Sequence, residues 1–322
     1  MNKLNLSDKH IFLTVPNVVS EKLNQKVTSI KYVGGGSFGK VYKVVLGNGD
    51  IIAVKAYLLQ GNQHHEAEQL RVLGKHTSVK MPDVIFTYED DKTALLAMTF
   101  VPGENVLNPL FLLKSKSRKQ KFADEVISGM LEWHSVTNKK FGELSNPIYD
   151  NWYDYYITEK QQPILDGLKK LEKEGKFPSK SFQLLLDATE AFNKLPVENT
   201  SPVLIHGDMN IMNIMADIHS FNLTAFIDPC DSMWADREYD LFQLRNMWGD
   251  LFNLYSTYKS KYQLSKYADF RVAYYGAMHE SSMRMRVGHS GSVLELLCNK
   301  RLRKELKKLN SCLLYTSDAA DE

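Results

Sequence analysis

The sequence predicts an α+β chain in which a small β-rich lobe precedes a larger, mainly helical one. Three observations predict this. From about Val27 to Phe100, β-branched and aromatic residues alternate or cluster around turn signals. Beyond that, as far as Asn310, apolar residues recur at helical spacing. Between the two, VPGENV supplies the proline and glycine of a boundary, so residues 1–101 form the first lobe and 102–310 the second.

Taken in order, SIKYVGGGSFGKVYKVVLGNGDIIAVKAYLL reads as three strands joined by the turns GGGSFG and GNGD. HHEAEQLRVLGK has helical spacing, with Ala67, Leu70 and Leu73 on one buried face. MPDVIFTYEDDKTALLAMTF returns to strand, charged turn and strand. In the second lobe, SRKQKFADEVISGMLEWHSVTN puts Phe122, Val126, Met130 and Trp133 on one helical face, and SKSFQLLLDATEAFNKL is a further helix. Short strands end in VLIHGD and NLTAFID, and Tyr239 to Leu309 is helical with brief breaks.

With 322 residues and 43% hydrophobic content, the chain can build one large or two modest cores. Charge is nearly balanced, 40 basic against 38 acidic residues, so no polyanion is implied as a global partner. The basic segment KRLRKELKKLN fits a solvated helix face better than a nucleic-acid contact. No apolar run approaches the roughly 20 residues of a membrane helix, and the amino terminus lacks a signal-peptide core. Cys230, Cys298 and Cys312 have no metal-ligand spacing and form no disulfide framework. The expectation is a soluble cytoplasmic protein. The tail SCLLYTSDAADE shares neither period nor charge with the helix before it and matches a translated sequencing adapter. Residues 311–322, Cys312 among them, are therefore expected to be a scar, with the natural carboxy terminus missing.

Four constellations carry chemistry. Gly34-Gly35-Gly36-Ser37-Phe38-Gly39 satisfies G-x-G-x-x-G, and it leads into a strand instead of a helix. That context suits a flap whose backbone N–H groups cover triphosphate oxygens, not a dinucleotide turn. In Ile52-Ala53-Val54-Lys55, the lysine leaves an apolar strand and needs an anion, which ATP phosphates would supply. Glu66, with Glu68 as the alternative, can pair with it. His206-Gly207-Asp208 followed five positions later by Asn213 has the H-x-D-x-x-x-x-N spacing of a kinase catalytic loop. There Asp208 accepts a proton from the attacking hydroxyl, and the Asn213 carbonyl binds Mg2+ without adding negative charge. His206 anchors the loop. About twenty residues on, Asp228 ends an apolar strand and is placed to hold Mg2+. Asp236, Arg237 and Asp240 suit a helix amino terminus and are read as structural. Asp231 is read as solvent-exposed, or as a second metal contact.

HGDMNIMNIM, FIDPCDSMWADREYDL, HHEAEQLRVL, LEWH and NWYDYY together resemble the small-molecule kinases that include aminoglycoside phosphotransferases, choline kinases and fructosamine (ketosamine) kinases. The resemblance runs from about Tyr32 to Gly288. It implies a two-lobed protein-kinase-like fold binding ATP and Mg2+, with Asp208 as base, Asn213 and Asp228 as metal ligands, and Lys55 on phosphates with Glu66 as its partner. It also implies that the linker MTFV holds adenine through the Thr99 carbonyl and Val101 amide, with Met98 behind the ring. HGD for HRD and IDP for Asp-Phe-Gly depart from protein kinases. From Leu251 to Asn310, twelve Lys/Arg stand against four Asp/Glu, which disfavours a polycationic acceptor. The aromatics of NWYDYY beside Asp150 and Asp154 suit a sugar-like polyol, or else belong to the core. The expected function is transfer of the ATP γ-phosphoryl to a hydroxyl of a small sugar-like molecule such as a ketosamine. The alternative acceptor is an aminoglycoside or macrolide. The alternative of another class is an inactive ATP-binding regulator, which normally lacks one of the four key residues that this chain keeps.

Overall fold

The computed structural model describes residue 4 and residues 6–197, 200–246, 248–287 and 293–318. Gly288, the far end of the resemblance, and residues 319–322 of the adapter-like tail lie outside them. The chain runs through α1 (Asp8–Leu23), β1 (Val27–Gly36), β2 (Gly39–Leu46), β3 (Ile51–Tyr57), α2 (Asn62–Gly74), β4 (Val84–Glu89), β5 (Ala94–Thr99), β6 (Glu104–Asn105), α3 (Pro109–Leu112) and α4 (Lys116–His134). There follow β7 (Phe141–Glu143), β8 (Pro147–Tyr149), α5 (Trp152–Tyr155), a π-helical turn (Tyr156–Gln161), α6 (Gln162–Lys173), α7 (Ser179–Asn193) and β9 (Val203–Leu204). Last come β10 (Ile214–Ala216), β11 (Leu223–Phe226), β12 (Met233–Ala235), α8 (Arg237–Asp240), α9 (Leu254–Lys261), α10 (Ala268–Val287) and α11 (Val293–Asp318).

Two compact units emerge, one of residues 1–111 with 213–230, the other of residues 112–212 with 231–322. The first holds a five-stranded antiparallel sheet in the order β1-β2-β3-β5-β4. Strand residues alternate faces. Ile52, Val54 and Ala56 of β3 pack with Tyr42, Val44 and the α1 residues Ile11, Val15, Val18 and Val19, leaving Ala53, Lys55 and Tyr57 to the opposite face. The helix α1 was not part of the sequence reading. Its signal was the N-cap Ser7, whose Oγ accepts the His10 N–H at 3.4 Å.

The expected boundary after residue 101 differs from the observed division. The strand β6 lies beyond it and pairs with β10, which also pairs with β11. The Phe226 N–H donates to the Lys80 carbonyl at 3.0 Å, and Thr224 Oγ1 donates to the Pro102 carbonyl at 2.9 Å. These ties draw residues 213–230 into the first unit, so Asn213 and Asp228 belong to it and Asp208 to the second.

The second unit joins a four-stranded sheet, β8-β7-β12-β9, to the helices. Phe122, Val126, Met130 and Trp133 of α4 are fully buried, as their spacing predicts. α11 continues past Asn310 to Asp318, since nothing in LNSCLLYTS breaks a helix. Among the described residues no helix is long and apolar enough to cross a membrane.

At Gly39 a Cβ would fall 2.3 Å from the Ala56 carbonyl oxygen of the neighbouring strand. Gly39→Ala is expected to cost about 1–3 kcal/mol through forced backbone movement. At Gly34 a Cβ meets nothing within 4 Å, so Gly34→Ala should leave stability nearly unchanged. Urea melts of the two variants check this contrast, and equal midpoints would contradict it.

Candidate active site

The glycine motif is a hairpin. β1 and β2 pair up to Gly36 opposite Gly39, with Ser37 and Phe38 at the turn. Gly35 and Gly39 are required by close backbone, whereas Gly34 and Gly36 face open space. None of these four has a positive φ.

Lys55 pairs in register with Val41 on one side and Leu96 on the other. Its side chain is buried, and Nζ donates to Glu66 Oε2 at 2.5 Å and to the Asp228 carboxylate. Tyr57 OH, two positions along the same face, donates to the same Glu66 oxygen at 2.7 Å. Burial alone would lower the Lys55 pKa, but the two carboxylates outweigh it and hold the ammonium charged. Burial, then Glu66, keeps the Tyr57 hydroxyl protonated. Asp228 itself has a left-handed φ of +55° and a side chain 47% exposed. Asn213 is buried beside it. Its Nδ2 donates to the Asp228 carbonyl at 3.4 Å, and its own carbonyl accepts the Ile227 N–H at 3.0 Å.

Ala53 lies opposite Met98, so Met98 shares the sheet face of Lys55. Thr99 ends β5, donating its N–H to the Asp83 carbonyl at 2.9 Å and accepting the Asp83 N–H on Oγ1 at 2.8 Å. Val101 follows, buried.

In the second unit, β9 leads into His206-Gly207-Asp208. The fully buried Asp240 carboxylate accepts the N–H groups of His206 at 3.2 Å and Gly207 at 2.9 Å. His134 Nε2 lies 3.3 Å from Asp240, and its Nδ1 lies 2.7 Å from Tyr258 OH. A neutral ring satisfies both contacts, donating to the carboxylate and accepting from the tyrosine. Burial does favour that form, lowering the His134 pKa against the pull of Asp240. His206 Nδ1 accepts the Asp208 N–H at 3.3 Å, and the ring packs 5.4 Å from Trp133. His206 therefore anchors the loop, as expected. Asp208 Oδ1 accepts Asn210 Nδ2 at 2.6 Å, and Asn210 Oδ1 accepts the Met212 N–H at 2.8 Å. Asn210 thus holds the Asp208 carboxylate, a contact that spacing along the sequence does not reveal.

Asp236 caps α8 through the Glu238 N–H at 2.9 Å. Its pKa is pushed up to about 6 by burial and then by Glu238. Arg237 stacks over Tyr262 at 3.8 Å. All three residues of the ADREYDL run read as structural hold parts of the unit together. Two open alternatives are narrowed. Asp231 is not simply exposed, since it lies 4.0 Å from Lys160 and 3.9 Å from Arg286. The NWYDYY aromatics form no polyol platform, since Trp152, Tyr153, Tyr155 and Tyr156 are buried, and Trp152 Nε1 donates to Tyr275 OH at 2.9 Å. Asp150 pairs with Lys140, and Asp154 with Asn151.

Glu280 accepts Asn246 Nδ2 at 3.2 Å. Burial first, then Asp208 and Glu295, push its pKa from 4.5 up to about 7. A carboxyl raised in the folded state stabilises it only while protonated, so this contribution is lost as pH rises from about 4.5 to about 7. Glu280→Gln should flatten that fall and exceed wild type by at most about 3 kcal/mol above pH of about 8. Urea midpoints across pH measure it, and parallel curves for the two proteins would refute the assignment.

The chain matches the phosphotransferase enzyme family (APH) over residues 29–274. The uncharacterized protein YcbJ of Escherichia coli (strain K12) is 24% identical over 209 residues, covering 62% of this chain and 67% of YcbJ. Among solved structures, a candidate fructosamine-3-kinase from Thermobifida fusca has a TM-score of 0.65 at 20% identity, covering 91% of this chain and 99% of that one. A mutant of the aminoglycoside phosphotransferase APH(4)-Ia, solved with AMP-PNP and hygromycin B, has a TM-score of 0.64 at 14% identity, covering 91% of this chain and 98% of that one. At such identities the likeness establishes a kinase-like mixed α/β fold and nothing finer. The family match spans the glycine hairpin, Lys55, Asp208, Asn213, Asp228 and Asp240, and on that ground the chain belongs to the phosphotransferase enzyme family.

Proposed function

We propose that the protein transfers the γ-phosphoryl group of ATP to a hydroxyl of a small sugar-like molecule, with a ketosamine as the favoured acceptor. The observation that carries this is Lys55, a buried ammonium fixed by Glu66 on one side and by the half-exposed Asp228 on the other. A charge so arranged suits phosphate oxygens. Gly34 and Gly36 add support. Neither backbone strain nor internal packing requires glycine there, which fits close approach by a ligand. The adenine ring is assigned to the Thr99 carbonyl and the Val101 amide, with Met98 behind it. Ketosamine preference is supported by fold likeness to the Thermobifida fusca protein and to a second candidate fructosamine-3-kinase from Haemophilus somnus, TM-score 0.65 at 17% identity.

Asp228 and Asn213 offer hard oxygen donors, the type Mg2+ takes. Among the described residues no group of three or more His, Cys, Asp or Glu could hold a metal by itself. Asp228 and Asn213 would hold a Mg2+ ion that takes its further ligands from outside the chain. When bound, Mg2+ supplies charge neutralisation at those oxygens. The chain does the rest. Lys55 orients the phosphates, Asn210 aims the Asp208 carboxylate, and Asp208 accepts the proton of the attacking hydroxyl. Positioning and charge stabilisation account for most of the acceleration.

Magnesium-ATP with a panel of ketosamines, sugars, aminoglycosides and macrolides, read by product mass, tests the reading. Asp208→Asn should lower kcat about a hundred- to ten-thousand-fold while ATP still binds. Asp228→Ala should remove metal-dependent turnover with the fold intact. Near-normal turnover in either variant would overturn the assigned role, and no transfer to any acceptor by wild type would favour a regulator.

A further inference from the structure

The helical unit holds a polar cluster that phosphoryl transfer does not use. Lys160 projects from the π-helical turn, Arg286 from the last turn of α10, and Asp231 from a residue with a φ of +57°. Such turns and left-handed residues concentrate where function demands an irregular backbone. Lys160 Nζ lies 4.0 Å and Arg286 Nη2 3.9 Å from the Asp231 carboxylate, beyond hydrogen-bonding reach. Among the described residues neither head group makes a hydrogen bond, although the Lys160 side chain is only 19% exposed. An ammonium and a guanidinium carry many donors and no acceptor. Two cations face one carboxylate, so the cluster has donors and positive charge to spare. His279 senses this field. Burial first, then Arg286, lower its pKa to about 4, with Lys160 adding to the effect and Asp231 opposing it.

The cluster adjoins the Asp208 loop. Ser232, next after Asp231, donates its hydroxyl to the His206 carbonyl at 2.8 Å. Glu280, next after His279, feels the Asp208 charge. We propose that Lys160 and Arg286 form an anion subsite that holds a carboxylate or phosphate borne by the acceptor, beside the hydroxyl that Asp208 serves. This rests on the reading of Asp208 as the base. It narrows the acceptor to a molecule with a phosphorylatable hydroxyl and an anionic group.

Calorimetric binding of two matched probe pairs tests it without requiring turnover. One pair is N-fructosylmethylamine and N-fructosylglycine, which differ by a carboxylate. The other is glucose and glucose 6-phosphate, which differ by a phosphate. In at least one pair the anionic member should bind about tenfold tighter or more, the worth of one charge-assisted hydrogen bond. The pair that shows the preference identifies the anion. In Lys160→Met and Arg286→Met the ratio within that pair should fall toward one, and Lys160→Arg should restore it. No preference in either pair, or a preference that both Met variants retain, overturns the subsite. Transfer is read separately as ADP formation. Preferential binding without ADP would leave the subsite standing and remove the kinase reading, and ADP formation without any preference would do the reverse.

Discussion

The first unit depends on a lysine that is only 6% exposed and must be paired to be tolerated. Glu66 supplies the permanent partner. It is itself buried, and Tyr57 fixes the oxygen that Lys55 uses. This demands that α2 cross the sheet where Lys55 emerges, which the register β2-β3-β5 and the apolar face of Ala67, Leu70 and Leu73 bring about. Asp228 is the second partner, half in solvent on a left-handed residue. One ammonium between two carboxylates leaves one negative charge uncompensated, and it resides where solvent and solutes can reach. A site so balanced holds its lysine without a ligand.

The second unit solves a different problem with one carboxylate. The amides of His206 and Gly207 leave β9 with no strand to pair with, and unpaired buried N–H groups are expensive. Asp240 accepts both. Because His134 from α4 contacts the same carboxylate and Tyr258 from α9 contacts His134, the loop before Asp208 is tied to three helices at once. Its placement is therefore a property of the helical core. Asn210 then fixes Asp208 locally.

The residues legible in the sequence are those whose chemistry and spacing are local. Asp208 and Asn213 share one loop, Asp228 ends one strand, Lys55 interrupts one apolar run, and Glu66 lies on the helix that follows it. The strands and the main helices were legible for the same reason, through period and turn residues. What escaped depends on distant partners. Nothing near Tyr57 says that its hydroxyl meets a helix, and Asp240 looks like any acid at a helix start although it serves amides 33 and 34 positions away. The NWYDYY aromatics suited a binding face and a core equally. Only their packing against Phe192, Tyr239, Tyr274 and Tyr275 decides for the core. The assignment of residues 213–230 to the first unit likewise arises from the two-residue strand β6, too short to carry a periodic signal.

Charge composition proved a weaker guide than charge satisfaction. Twelve cations against four acids between Leu251 and Asn310 suggest a surplus hostile to polycations. At least four of the twelve cations are nevertheless paired within the fold. Arg271 bonds Glu238 at 2.7 Å, Arg284 bonds Glu295 at 2.6 Å, Lys259 bonds Asp269 at 2.9 Å and Arg301 bonds Asp250 at 3.0 Å. Two of these acids, Glu238 and Asp250, come from outside the counted segment. A neutralised pair exerts little field beyond its own neighbourhood. Cations with donors left over are what can select an acceptor, and such donors are visible only once the fold has paired the others. Lys160, which precedes the counted segment, and Arg286, which lies within it, qualify on that criterion. A count taken along the sequence leaves Lys160 out and weighs Arg286 no more than a paired cation.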